Sequence, residues 1–238
     1  LRNRGIEAYT PTMRMAPVGR STYTPYIFTH HQITSLLGAA DRLRATGHSP
    51  IRHVVMPEIF RLLYGSGLRL NEALCLSVSD VDLERGIITI REGKFRRERL
   101  VPVGSTMQDR LRVYASAMGC REDDATFFPS PDGGPYSKPA VYTVFRKLLR
   151  TSCIPHGGRG RGPRIHDLRH TFAVHCLVRW YRQRADLMSK LPYLSTYMGH
   201  FSLMGTQRYL RLTPEVFPDI VDLMERFAGP AIPRRTAP

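Results

Sequence analysis

A chain of 238 residues with 42% hydrophobic content can bury a sizeable core, and it lacks any apolar run of the roughly eighteen residues a membrane helix needs. Its net charge of +15 argues against a neutral binding surface and points to an anionic partner, with nucleic acid the first candidate. The four cysteines, Cys75, Cys120, Cys153 and Cys176, are far apart and form no CxxC pair, which excludes a disulfide framework or a zinc knuckle; they are expected to be reduced and mostly buried.

Residues 1–25 mix Arg, Gly, Pro and Thr without periodicity and read as an arm or linker. The first twenty lack the apolar stretch of a secretory signal, so an intracellular chain is expected. A helix is predicted from Thr29, which can cap the segment carrying Ile33, Leu36, Leu37 and Leu43. His30 and His31 near its start are expected to be solvated. After the break at 47–50, a second helix carries Val54, Val55, Ile59, Leu62 and Leu63 and ends at Gly65-Ser66-Gly67. A short helix follows over 70–76. The period then changes: 87–90 and 99–103 are short, branched and strand-like, separated by charged residues, and read as a small antiparallel sheet with a basic hairpin. Helices are predicted again over 104–118, 138–152, 166–184, 190–198 and 214–228, and the Pro-rich tail 229–238 closes the chain. The fold class expected is α+β, mainly α-helical, with a small antiparallel β-sheet.

Three segments carry side chains suited to phosphodiester chemistry: Gly67-Leu68-Arg69-Leu70-Asn71-Glu72, His166-Asp167-Leu168-Arg169-His170, and Gly199-His200 followed by Tyr209. Breaking a phosphodiester without a metal requires cations to stabilise the pentacoordinate transition state, and the planar fork of arginine matches phosphate oxygens. It also requires a nucleophile and an acid for the leaving oxygen. Arg69 and Arg169 could form the clamp, Tyr209 the nucleophile, Lys94 the acid, and His166 and His200 the hydrogen-bonding partners. On a helix starting near Ile165, His166 shares a face with Arg169 and with His170, and Glu72 stands three residues beyond Arg69, placed to orient it. Taken singly, each has an ordinary structural reading: a surface arginine, a core histidine, a packed tyrosine. The His166/His170 spacing lacks a third ligand and does not argue for zinc. In the Gly- and Arg-rich loop 155–164, Arg159, Arg161 and Arg164 could hold DNA phosphates or belong to a merely flexible loop.

Together and in order, these segments closely resemble the signature boxes of the tyrosine recombinases, or phage integrases. "LLYGSGLRLNEALCLSVSDVDL" resembles the first arginine box, with Arg69 and its supporting Glu72. "REGKFRRERLVPV" is similar to the hairpin carrying the catalytic lysine, with Lys94 its only lysine and Arg96 and Arg97 as neighbouring DNA contacts. "IHDLRHTFAVH" matches the His-x-x-Arg-His box, with His166, Arg169 and supporting His170. "YMGHFSLMGTQRYL" matches the last box, whose Gly-His precedes the nucleophile by nine residues, the separation of His200 and Tyr209.

The resemblance implies a catalytic domain over 26–228 that cuts and rejoins double-stranded DNA through a 3′-phosphotyrosyl intermediate, without cofactor or metal. It implies a tetramer on paired sites, possible accessory DNA-binding proteins, and a bacterial, nucleoid-associated setting. Alternatives are a type IB topoisomerase-like nicking–closing enzyme and an inactive basic DNA-binding module. The family usually carries a helical DNA-gripping domain before the catalytic one, so a catalytic half of a longer protein, or one lacking part of its specificity apparatus, is expected. The stretch "RWYRQRADLMSKLPYLS" also lengthens the link between the second and third boxes relative to the shortest relatives.

Overall fold

The computed structural model describes residues 24–91, 98–158 and 162–200, together with Tyr209 and Arg226. Helix α1 (His30–Asp41) begins where its sequence says it should. The Thr29 hydroxyl accepts the Gln32 N–H at 3.1 Å, and the Gln32 side-chain oxygen accepts the Thr29 N–H at 3.0 Å, a reciprocal cap that satisfies two otherwise orphaned donors. Just before it, Phe28 is fully buried and donates its N–H to the Thr171 hydroxyl at 3.0 Å, tying the incoming segment to the helix that carries the second box.

Helix α2 (Arg52–Gly65) continues through Pro57 and lies at the centre of the fold. It packs against α1, the short α3 (Leu70–Leu74), α4 (Ser105–Met118) and α6 (His166–Arg182), while α5 (Lys138–Thr151) covers α1. Buried Glu58 on α2 is held by Arg61 and by Arg110 of α4, so the charge forced inside by the helix face is paired. Helix α3 stops at Leu74 rather than at 76, because Leu76 turns away and gives its carbonyl to the Phe127 N–H at 2.7 Å.

Among the described residues the sheet has three antiparallel strands, the two read from the sequence and a short one before them: β1 (Val81–Asp82), β2 (Ile87–Ile90) and β3 (Arg99–Pro102), in that order. The register pairs Ile90 with Arg99 and Ile88 with Val101. Alternation sends Ile88, Ile90 and Val101 into the core, leaves Leu100 exposed, and puts Arg99 at the base of the hairpin. β1 has only two residues and so offers no period to read.

Helix α7 (Leu187–Met198) starts three residues earlier than its apolar pattern implied, because the Asp186 carboxylate caps the Met188 N–H at 2.9 Å. Against α6 it builds a second apolar cluster, from Ala173, Val174, Leu177, Val178, Leu191, Leu194 and Met198, into which Tyr209 fits. The fold is therefore mainly helical with a small antiparallel sheet, as expected. The cysteines are a correction: Cys75, Cys120 and Cys153 are exposed and Cys176 is half-buried, all free. The three exposed ones occupy or follow helix ends, where the chain turns at the surface. His30 and His31 are exposed as expected, though the His30 ring also stacks on that of His175 with centroids 3.9 Å apart. The predicted helix 214–228, apart from Arg226, and the tail 229–238 lie outside the described residues, as do residues 1–23 of the predicted arm or linker. Among the described residues no helix is long and apolar enough to cross a membrane.

The reciprocal cap at Thr29 yields a direct prediction. Thr29→Ala should lower the unfolding free energy by about 1 kcal/mol in urea titrations, and Thr29→Ser should recover most of it.

Candidate active site

The site begins at the sharp turn between α2 and α3. Gly67 adopts a left-handed φ of +62°, and a Cβ there would lie 2.5 Å from the Phe172 ring, so only glycine lets α2 approach α6 this closely. Two residues on, Arg69 is extended at the N-cap of α3. Its backbone N–H donates to Glu72 Oε2 at 2.9 Å, its Nη1 to Glu72 Oε1 at 2.6 Å, and its Nη2 to the Gly199 carbonyl at 2.9 Å. Its side chain stays 25% exposed, whereas that of Glu72 is almost closed off. The sequence-based pairing of Glu72 with Arg69 is thus present. A second partner was not foreseen: Arg99 of β3 donates Nη1 to Oε1 at 3.0 Å and Nη2 to Oε2 at 2.8 Å of the same carboxylate.

From α6 come His166, Arg169 and His170. Arg169 is 2% exposed, and its fork is fixed by two carbonyls: Nη1 donates to Gly67 O at 2.6 Å and Nη2 to Met198 O at 2.5 Å. A single side chain thereby joins the turn preceding Arg69 to the end of α7. His170 packs edge-to-face on His166, with centroids 4.7 Å apart, and its Nδ1 lies 2.9 Å from the Tyr209 hydroxyl. Tyr209 is 2% exposed. Helix α7 ends in left-handed Gly199, and the next residue, His200, sets its ring roughly parallel to that of Tyr209 with centroids 6.0 Å apart.

Three guanidinium groups around one carboxylate leave the pocket with a surplus of positive charge, and the titrating groups register it. Burial works against ionisation of Glu72, but the hydrogen bonds and charges of Arg99 and Arg69 outweigh it and hold the carboxyl at about 2. Desolvation by the surrounding protein, then the Arg169 and Arg69 charges, lower His166 and His200 to about 4. Both rings are neutral at pH 7 and each can accept or donate a proton. Burial, followed by repulsion from Arg69, lowers Arg169 to about 10, which leaves it charged at pH 7.

Arg69, Glu72, His166, Arg169, His170, His200 and Tyr209 therefore come together from four separate stretches of chain. Lys94, Arg96, Arg97, Arg159 and Arg161 lie outside the described residues. Arg164 is exposed just before α6, its backbone N–H donating to the Asp167 carboxylate at 2.8 Å. The residue that sequence reasoning missed is Arg99: in a run of arginines nothing but strand register distinguishes the inward one. Among the described residues, no group of three His, Cys, Asp or Glu side chains could hold a metal ion.

Two predictions follow from this geometry. Gly67→Ala forces a left-handed alanine against Phe172 and should cost at least about 1–2 kcal/mol in urea unfolding. His166 and His200 titrate near 6.5 when unfolded but near 4 when folded, so the unfolded state binds more protons between those values. Their contribution to stability is complete above pH 6.5 and is lost as pH falls towards 4. The unfolding midpoint should decline over that window, and the double substitution His166→Asn/His200→Asn should flatten the decline.

Comparison with known proteins identifies the family and the fold. The profile of the phage integrase family matches residues 27–215. The protein named integrase/recombinase y4rB of Sinorhizobium fredii is 35% identical over 222 residues, which is 91% of this chain and 70% of that protein. The chain spans about half of the Xer recombinases it matches, for example 51% of tyrosine recombinase XerA of Thermococcus onnurineus. The crystal structure of a XerA recombinase superposes with a TM-score of 0.65 at 23% identity, over 94% of this chain and 69% of that one. The catalytic domain of bacteriophage HP1 integrase superposes with a TM-score of 0.53 at 22% identity, over 85% of this chain and 96% of that domain. With its family profile matched over most of its length and a relative aligned across nearly all of it, the protein belongs to the phage integrase family of tyrosine recombinases.

Proposed function

We propose that this chain is the catalytic part, over residues 26–228, of a site-specific recombinase that cleaves and rejoins double-stranded DNA through Tyr209. The observation that carries the reading is the Tyr209 hydroxyl, hydrogen-bonded to His170 beside the pocket formed by Arg69, Arg169, His166 and His200. A net charge of +15 adds the non-specific attraction to a polyanion.

In this reading Arg69 and buried Arg169 supply the positive field for the scissile phosphate. The Tyr209 oxygen attacks phosphorus as its proton passes to neutral His166, with His170 holding the hydroxyl in line. A bond forms between tyrosine oxygen and phosphorus, and the bond from phosphorus to the 5′ oxygen breaks. Lys94 protonates that oxygen, giving a free 5′-hydroxyl and a 3′-phosphotyrosine, while His200 donates to a non-bridging oxygen. A 5′-hydroxyl from another strand reverses these steps, so the energy of the broken bond is kept in the adduct and the chemistry needs no cofactor. Arg96, Arg97, Arg159, Arg161 and Arg164 hold flanking phosphates. The assembly on paired sites is a tetramer with accessory DNA-binding proteins assisting, and residues 214–228, with apolar Val216, Phe217, Ile220, Val221, Leu223, Met224 and Phe227, either pass to a neighbour or pack on their own domain. The setting is the nucleoid of a bacterium, and the element served is mobile DNA.

Covalent trapping on nicked duplexes from the flanks of the encoding element, in chelator-containing buffer, tests this. Wild type should give an SDS-resistant adduct mapped to Tyr209, and Tyr209→Phe none. Arg69→Ala should slow adduct formation on the order of 10²–10³-fold. Salt-sensitive binding without any adduct would instead identify an inactive DNA-binding module, and relaxation of supercoils without strand exchange a nicking–closing enzyme. Sizing the DNA complex with and without residues 214–238 tests the exchange, because unchanged assembly would exclude it.

A further inference from the structure

Both oxygens of Glu72 are used twice. Oε1 accepts from Arg69 Nη1 and Arg99 Nη1, and Oε2 accepts from the Arg69 backbone N–H and Arg99 Nη2. Arg99 grips the carboxylate with both arms of its fork, and its Nε–H goes to the Tyr197 carbonyl in the last turn of α7 at 3.1 Å. With its side chain 11% exposed, this is not the solvated surface pair that contributes little. The turn above is shaped to it: a Cβ on Gly199 would lie 3.1 Å from Cζ, Nε and Nη1 of Arg99. The Gly199 carbonyl receives Arg69 Nη2, and the next residue is His200. One guanidinium, rooted in β3 at the base of the hairpin, therefore underlies both the carboxylate that aims Arg69 and the turn that presents His200.

We infer that Arg99 is a positioning residue for DNA cleavage: it fixes Glu72 so that Arg69 keeps an open edge for phosphate, and it braces the Gly199–His200 turn. The inference rests on the recombinase reading above. Arg99 acts through Glu72 and the turn rather than by touching DNA. If Arg99 were absent, Glu72 would keep only Arg69 as a hydrogen-bonding cation, and burial would favour the protonated acid. A lysine would keep the charge, but a single ammonium cannot span two carboxylate oxygens and a carbonyl at once.

The test is single-turnover adduct formation by the full-length gene product on the nicked duplexes, from pH 5 to pH 8, with DNA affinity measured in parallel. Arg99→Lys should bind DNA as wild type does yet cleave more slowly, on the order of 10–10²-fold, because reacting groups are slightly misplaced. Arg99→Gln should be slower still and gain an acidic limb, its rate falling as pH drops and Glu72 protonates; adding Glu72→Gln should remove that limb. Wild-type rate and pH profile in both Arg99 variants would overturn the inference, as would a limb that persists in the double variant. If Arg99→Gln does not fold, the rate of Arg99→Lys decides: a wild-type rate overturns the inference and a slowed rate with unchanged affinity supports it. Failure of wild type itself to form an adduct would instead overturn the recombinase reading, and this inference with it.

Discussion

A carboxylate shut away from water and shared by two guanidinium groups sets the geometry of this site. Glu72 is buried and charged, and that state is tolerable only because Arg69 and Arg99 together supply its hydrogen bonds. Removing one member of such a buried set typically costs about 3–5 kcal/mol, because the charge left behind has no partner. The arrangement holds the short helix α3, the base of the β2–β3 hairpin and the end of α7 at fixed separations. It also engages both Nη atoms of Arg69, one on Glu72 and one on the Gly199 carbonyl, while the side chain stays 25% exposed.

Arg169 does for the backbone what Glu72 does for the side chains. Its two bonds to Gly67 O and Met198 O close the turn before Arg69 against the turn before His200, so the two glycines lie on either side of one buried cation. The cost of burying that cation is met by carbonyls rather than by a carboxylate, and its positive field therefore remains available to an anion. Burial, and after it the charges of Arg169 and Arg69, lower His166 and His200, so both rings are neutral at physiological pH. Neutral imidazoles beside fixed guanidinium groups divide the work. In the proposed reaction the permanent charge would neutralise phosphate, while the neutral histidines would transfer protons.

Where the signal was local, it was readable. The capping pair Thr29 and Gln32, the apolar face of α2, the change of period at residue 87 and the three-residue spacing of His166 and Arg169 are each properties of a few adjacent residues, and the elements follow from them. The failures were also local in cause. A two-residue β1 has no periodicity, the start of α7 is decided by the Asp186 cap rather than by its apolar positions, and cysteines at helix ends stay at the surface despite their apolar character.

The amino-acid sequence by itself determined which residue types were at hand: arginines, histidines, a supporting acid and a tyrosine at recognisable spacings, on a strongly basic chain. Only the tertiary structure decided how they are used. Arg99 is 27 positions from Glu72, Arg169 is 102 from Gly67, and Arg69 is 130 from Gly199. No local period records contacts at such separations. They arise because α2 packs on α6 and the end of α7 meets β3, and because buried charges must find partners wherever packing brings them.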